Sequence, residues 1–218
     1  MARKGSPLHV KAGWWYANAM YIVSISALVI SVMVFISPMA VKYSGNEFEL
    51  GELFRIAQRE RTFSLFLLAI SVLVLASVRH GLLTIKSKKD HSLMRSPGHL
   101  ALNGALGLLG VALIFLGAGT GFILAYIFAG ICLIAGISQL RYCLKKEVAR
   151  MEWMVAHLGA MCGAGIGSYT AFFVFGGNRY LSDILTGNLQ IIPWVAPAIL
   201  GTFFINQQTR KYRKQFKF

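Results

Sequence analysis

Apolar residues in this chain come in long runs, separated by short stretches that carry nearly all of the charge. A helix rises about 1.5 Å per residue, so crossing a hydrocarbon layer about 30 Å thick takes about 20 residues. Six runs meet or approach that length: Gly13 to Ala40, Thr62 to Ile85, Leu100 to Leu116, Thr120 to Leu140, Met154 to Phe175 and Leu189 to Asn206. The expectation is an all-α, polytopic transmembrane bundle of six helices, forming one membrane domain over residues 1–218. The sixth run is short and contains Pro193 and Pro197, which leaves a kinked or re-entrant segment as the alternative there. The first run is too long for a cleavable signal peptide and lacks its small-residue processing pattern.

Composition agrees with this pattern, since 56% of the 218 residues are hydrophobic and only 14% are charged. The net charge of +14 would suggest nucleic acid in a soluble protein, but its distribution gives a membrane explanation. Basic residues gather in alternate connections: Arg3, Lys4 and Lys11; Lys86, Lys88, Lys89 and Arg95; Arg141, Lys145, Lys146 and Arg150; then Arg210, Lys211, Arg213, Lys214 and Lys217. The intervening connections balance. Glu47, Glu49, Glu52 and Glu60 face Lys42, Arg55, Arg59 and Arg61 in the first, and Arg179 faces Asp183 in the fifth. Six crossings with both termini cytoplasmic satisfy the positive-inside rule at every connection. The basic blocks also suit anionic lipid headgroups as partners in the bilayer, and no nucleic-acid partner is expected.

The outer connection from Lys42 to Arg61 carries Leu50, Leu53, Phe54 and Ile56 among charges, as a short amphipathic helix lying in the interface would. Glycines at Gly104, Gly107 and Gly110 in the third run, and at Gly159, Gly163 and Gly167 in the fifth, allow close helix approach. They mark the expected bundle centre, or a face for a membrane-protein partner or a second copy. Asn18 and Asn103 are expected to bridge helices, and Trp14, Trp15, Trp153 and Trp194 to sit in interfacial belts. Cys132 and Cys162 read as small packing residues. Cys143 reads as a thiol at a cytoplasmic helix end, where acylation is an option that position alone does not favour.

Chemistry concentrates in the histidines, and the charge-derived topology puts His9, His80, His91, His99 and His157 on one side. His157 lies inside the fifth run, with Met154, Met161, Ala164 and Ser168 on its face. A titratable group at that depth faces a bundle interior or a cavity. Three roles fit it: axial ligation of haem b with His9 or His80 opposite, a small site for a soft ion such as Cu(I), or a hydrogen bond to a quinone. The plainer alternative is a neutral imidazole bonded to a neighbouring helix. His9, His80, His157 and Met161 form the expected cofactor-binding set. Arg79 is expected to snorkel to headgroups rather than pair with Glu147 or Glu152. No carboxylate lies at a helix centre, which disfavours proton-coupled transport, and no Ser/His/Asp order or HExxH motif is present.

The segments RKGSPLHVKAGWWYANAM, MVAHLGAMCGAGIGSYTAFFVF and IIPWVAPAILGTFFI carry a resemblance. Through Lys4, Gly5, His9 and Gly13, and through His157, Met161, Ser168, Pro193, Trp194, Pro197 and Gly201, the chain resembles bacterial polytopic membrane proteins known only as domain of unknown function 2306. Members often carry one more helix, with its own histidine, ahead of the Lys-Gly segment, and this sequence starts after that point. The resemblance implies a bacterial inner-membrane protein and singles out His9 and His157; it implies no activity. The functional expectation is a membrane protein binding a cofactor or amphipathic ligand, haem or quinone, at the cytoplasmic leaflet. The alternative is a non-enzymatic structural or assembly subunit.

Overall fold

The computed structural model describes residues 5–45, 48–88, 90–177, 180 and 184–216. Arg3, Lys4, Glu47, Lys89, Arg179, Asp183 and Lys217, which entered the charge pattern, lie outside them. Among the described residues every regular element is helical. The long helices are α1 (Pro7–Ile36), α3 (Leu50–Lys86), α4 (Pro97–Thr120), α5 (Ile123–Cys143), α6 (Glu152–Ala171) and α7 (Ile192–Phe216), with a short α2 (Pro38–Lys42). Single 3-10 segments run over His91–Arg95 and Gly187–Ile191, and α6 continues as a π turn over Phe172–Gly176. Six of these helices are long and apolar enough to cross a membrane, so the chain is a multi-pass, all-α membrane protein. Helices answer the bilayer's demand that every backbone polar group be satisfied internally.

The helix ends explain where the expected boundaries moved. α1 starts at Pro7, six residues early, because Ser6 Oγ accepts the His9 N–H at 3.3 Å and Pro7 occupies a first-turn position that has no donor to lose. It stops at Ile36 because Pro38 cannot continue it. The interfacial helix expected over Lys42 to Arg61 is not a separate element. From Leu50 it forms the opening turns of α3, whose 37 residues reach about 55 Å, well beyond a hydrocarbon layer of about 30 Å. After Gly51 the sequence offers no breaker until the apolar run begins, so the helix carries through. Its N-terminal part is tied down by polar groups: Lys42 pairs with Glu60, the Tyr43 hydroxyl donates to Glu60 at 3.1 Å, and Arg61 Nε donates to the Phe35 carbonyl at 3.2 Å.

The sixth run is an unbroken helix rather than a re-entrant segment. Pro193 falls in its first turn, where a missing N–H is harmless, Pro197 is accommodated, and the helix continues through Arg210, Lys211, Arg213 and Lys214 to Phe216. The basic tail is therefore helical.

Contacts sort the chain into two compact units that cut across the helices. The first comprises residues 1–75 and 105–133, and the second 76–104 and 134–218. In the first, the fully buried Phe66 meets Phe122 and Phe128 edge-on at 5.1 and 5.0 Å, with Leu106, Leu113, Ala69 and Ala125 also buried. In the second, α6 packs along α7.

Only part of the expected glycine series acts as its spacing suggested. Gly110 is crowded by Leu133 and the Ala129 carbonyl, but a methyl group added at Gly104, Gly107, Gly159 or Gly163 would meet nothing within 4 Å. Close approach also occurs outside the series, at Gly117 against Tyr126, at Gly201 against Ile166, and at Gly81 against Met161 and Ala160. A four-residue interval shows only that small residues share a face. Whether a neighbour uses that face depends on how the helices dock.

Candidate functional site

The second unit gathers its polar side chains where α3 ends, α4 begins and α5 ends. His80 lies six residues before the last residue of α3, His99 two residues into α4, and Cys143 is the last residue of α5. His80 Nδ1 is 3.1 Å from His99 Nε2 and 4.0 Å from Cys143 Sγ. The donor atoms of all three residues lie within 4.8 Å of one another, and all three side chains are buried. Asn103, one turn after His99, donates its amide to the His99 carbonyl at 2.8 Å and lies 3.3 Å from His99 Nε2. That bond fixes the amide's orientation and leaves Asn103 Oδ1 buried without a partner among the described residues.

The 3-10 segment His91–Arg95 closes this region. Asp90 Oδ1 caps its start by accepting the Ser92 N–H at 2.9 Å, and the Ser92 hydroxyl and N–H hold the Asp90 carboxyl below the usual carboxylate range. His91 Nε2 donates to the Tyr142 carbonyl at 3.0 Å. Arg95 donates to the Cys143 carbonyl at 3.4 Å and the Lys145 carbonyl at 2.8 Å. The Tyr142 and Cys143 carbonyls are among those that α5 leaves without an intrahelical partner at its C-terminus, Lys145 lies just past it, and a cation beside them also suits the negative end of the helix dipole. Behind the segment, Met94, Tyr142 and Cys143 form a buried core with Leu83, Leu100, Val148 and Ala156. The Tyr142 ring stands edge-on to His80 at 5.4 Å. Water is excluded from the imidazoles on this side by apolar packing and a pinned loop.

Of the expected set, His80 is in the cluster, while His157 and Met161 come to its sequence neighbour. His157 Nδ1–H donates to the Gly81 carbonyl at 2.8 Å, a bond between α6 and α3 of the plainer kind foreseen for this histidine. Met161 packs so tightly on Gly81 that an added Cβ would lie 2.8 Å from its Sδ. His9 belongs to the first unit, where its side chain is exposed.

Several further expectations change. Cys143 stands at the end of α5 as expected but is fully buried against His80, which removes the acylation option, whereas Cys162 is exposed rather than packed. Asn103 bonds within its own helix, and Asn18 is exposed, so neither is seen to bridge helices. Arg79 Nε is buried without a partner among the described residues, and Glu152 pairs with Lys145. Lys88 lies over the Trp153 ring at 3.6 Å, giving that tryptophan a cation partner at a helix end.

Two donors of the cluster, His99 and Cys143, were not in the expected set. They stand 19 and 63 residues from His80, and no local periodicity links such positions. The signal present was weaker: three residues with metal-binding atoms, each within about two turns of a helix end on the same side of the charge pattern.

Chemically, two imidazoles and a thiol that converge in a dry site can share a proton or enclose a small ion. His80 and His99 face each other directly at 3.1 Å, a hydrogen-bonding distance that leaves no room for a haem macrocycle between the two rings. A separate apolar cavity of about 790 Å³ lies along α6 and α7, lined by Met161, Cys162, Ile166, Tyr169, Pro197 and Phe204 among others. No family model matches the chain, and no curated protein or solved structure matches it.

Proposed function

We propose that this chain is an integral protein of the bacterial inner membrane that holds a small cofactor in the buried imidazole–thiol cluster of its second unit, with both termini in the cytoplasm. The observation that carries the reading is the convergence of one ring nitrogen each of His80 and His99 with Cys143 Sγ, all within 4.8 Å, in a site closed to water. Buried polar groups are costly in a membrane protein unless paired, and such groups inside spanning segments mark functional sites by default. The cluster replaces the His9–His157 pair as the centre of the site, with His157 and Met161 positioning α6 against the residue after His80. A metal ion suits three convergent donors better than haem or a quinone does.

The orientation rests on Lys86, Lys88, Arg95, Arg141 and Lys145, which border the cluster in sequence and fall on the side that the positive-inside rule assigns to the cytoplasm. Cysteine tagging at Lys88 in intact cells should find it shielded from impermeant reagents. The function itself is tested by elemental analysis and an absorption spectrum of the purified protein in detergent. One ion per chain is expected, lost in His80→Ala. A chain with a stoichiometric chromophore and no metal, or with neither, contradicts the reading.

The assembly-subunit reading draws on the open space beside Gly159 and Gly163, which a partner helix could occupy. Gly159→Leu would then abolish co-purification of a stoichiometric partner while leaving metal content intact.

A further inference from the structure

We infer that the cluster selects a monovalent d10 ion, Cu(I), held three-coordinate by His80 Nδ1, His99 Nε2 and Cys143 Sγ. This rests on the reading of the cluster as an ion site and adds the identity of the ion.

The first argument is donor chemistry. The cluster offers two imidazole nitrogens and one thiol sulfur, with no carboxylate among its ligand atoms. Its surroundings are soft as well, since Met94 shares a buried core with Cys143 and Met161 lies on Gly81. Thiolate and imidazole ligands suit Cu(I) and Zn(II), while hard divalent ions want oxygen, so the donor set narrows the choice to these two.

The second argument is charge. A Cu(I) ion with one thiolate and two neutral imidazoles makes a neutral assembly, whereas Zn(II) in the same place leaves one positive charge. That charge would be buried in a helix bundle with the Arg79 guanidinium on the adjacent residue, its Nε already buried and without a partner among the described residues. An uncompensated buried charge is heavily penalised, so the neutral assembly wins.

The third argument is coordination number. Three donors meet here in a site closed to water, whereas Zn(II) takes a fourth ligand, from the protein in structural sites and from water in catalytic ones.

Loading is balanced by a single proton. The Cys143 S–H bond breaks, the S–Cu bond forms, and the thiol proton leaves to solvent. The proton shared between His80 Nδ1 and His99 Nε2 stays on the imidazoles by moving to a ring nitrogen that faces away, so both facing nitrogens present lone pairs. Neither the ion nor the protein changes oxidation state. Affinity for Cu(I) therefore rises about tenfold per pH unit while the thiol is protonated.

The experiment uses the full chain in detergent under reducing conditions, titrated with Cu(I) against a chromophoric chelator and, separately, with Zn(II) against its own. One Cu(I) per chain is expected, bound at least about 100-fold more tightly than Zn(II), with an X-ray absorption edge and shell of one sulfur and two nitrogens. Cys143→Ser and His80→Gln should each weaken Cu(I) by about 100-fold or more, while Cys162→Ser should not change it. If Cys143→Ser does not fold, the wild-type chain answers instead, because Cu(I) should protect one thiol, Cys143, from alkylation after denaturant is pulsed in, and should leave Cys162 reactive. Preferred binding of Zn(II), or a four-coordinate site, overturns the Cu(I) assignment and keeps the ion-site reading. Binding of neither ion, with variants indistinguishable from wild type, overturns both.

Discussion

Buried hydroxyl and imidazole groups tell the two units apart. In the first unit, Ser24, Ser64 and Ser71 each turn the hydroxyl back to a carbonyl three residues earlier in the same helix, at 3.2, 2.9 and 2.8 Å. The polar group is satisfied locally, and the core between helices is left to Phe66, Phe122, Phe128, Leu106 and Leu113. In the second unit Thr84, Ser87 and Asn103 also bond locally, but further bonds run between elements: His80 to His99, His91 to the Tyr142 carbonyl, Gln139 to Ser77 at 3.3 Å, and His157 to the Gly81 carbonyl. Apolar packing tolerates many arrangements of similar volume, whereas a bond between helices fixes rotation and depth together. The first unit is built for shape and the second for position, and positioning is what a binding site needs.

The comparison breaks most visibly if volume does not dominate the first unit. Phe66→Ala should cost about 3–5 kcal/mol in reversible unfolding in mixed micelles, because it removes a ring that two others pack against. It should leave the ion content of the second unit unchanged. Next comes His99→Ala, expected to cost about 1–3 kcal/mol because it leaves the His80 nitrogen without its neighbour and exposes Asn103 to the gap. A double-mutant cycle with His80→Ala should show clear coupling. Additive effects would mean that the two imidazoles do not act as a pair.

The glycines sharpen the contrast by sign. Gly201→Ala should destabilise by about 1–3 kcal/mol, since Ile166 fills the space where a Cβ would go. Gly104→Ala, which meets nothing, should be neutral or stabilise by up to about 1 kcal/mol through helix propensity. Smaller still is the polar pair test: Gln139→Ala should cost about 0.6 kcal/mol by losing Ser77, and Ser71→Ala close to nothing. The smallest effect concerns Asp90. Its carboxyl is held low by Ser92, so the cap is present above the ordinary carboxylate range and is lost as pH falls through the depressed value. Asp90→Asn should remove that acid dependence from hydrogen exchange at the Ser92 amide and leave the transmembrane helices unaffected.

The spans were legible because the bilayer imposes a length that composition must meet, as in the apolar stretches of α1 and α4. The long N-terminal extension of α3 was not, because an amphipathic stretch beside a span looks the same whether it bends into the interface or continues straight. His80 was legible as a polar group inside a helix end, and His157 as one deeper in. Their different fates were not: one meets His99 and Cys143, and the other reaches a backbone carbonyl. Cys143 is the instructive case. By position it is a thiol at a membrane surface, and only the closure by Met94, Tyr142 and Arg95 turns it into a buried donor.

By itself the sequence determined that this is a helical protein of six apolar spans, because hydrophobic length and helix-ending residues act locally along the chain. Tertiary structure alone decided which glycines are crowded, which serines merely serve their own helix, and which three donors converge. Those outcomes depend on the rotation and depth at which helices dock, set by the sum of many contacts between residues far apart in the chain.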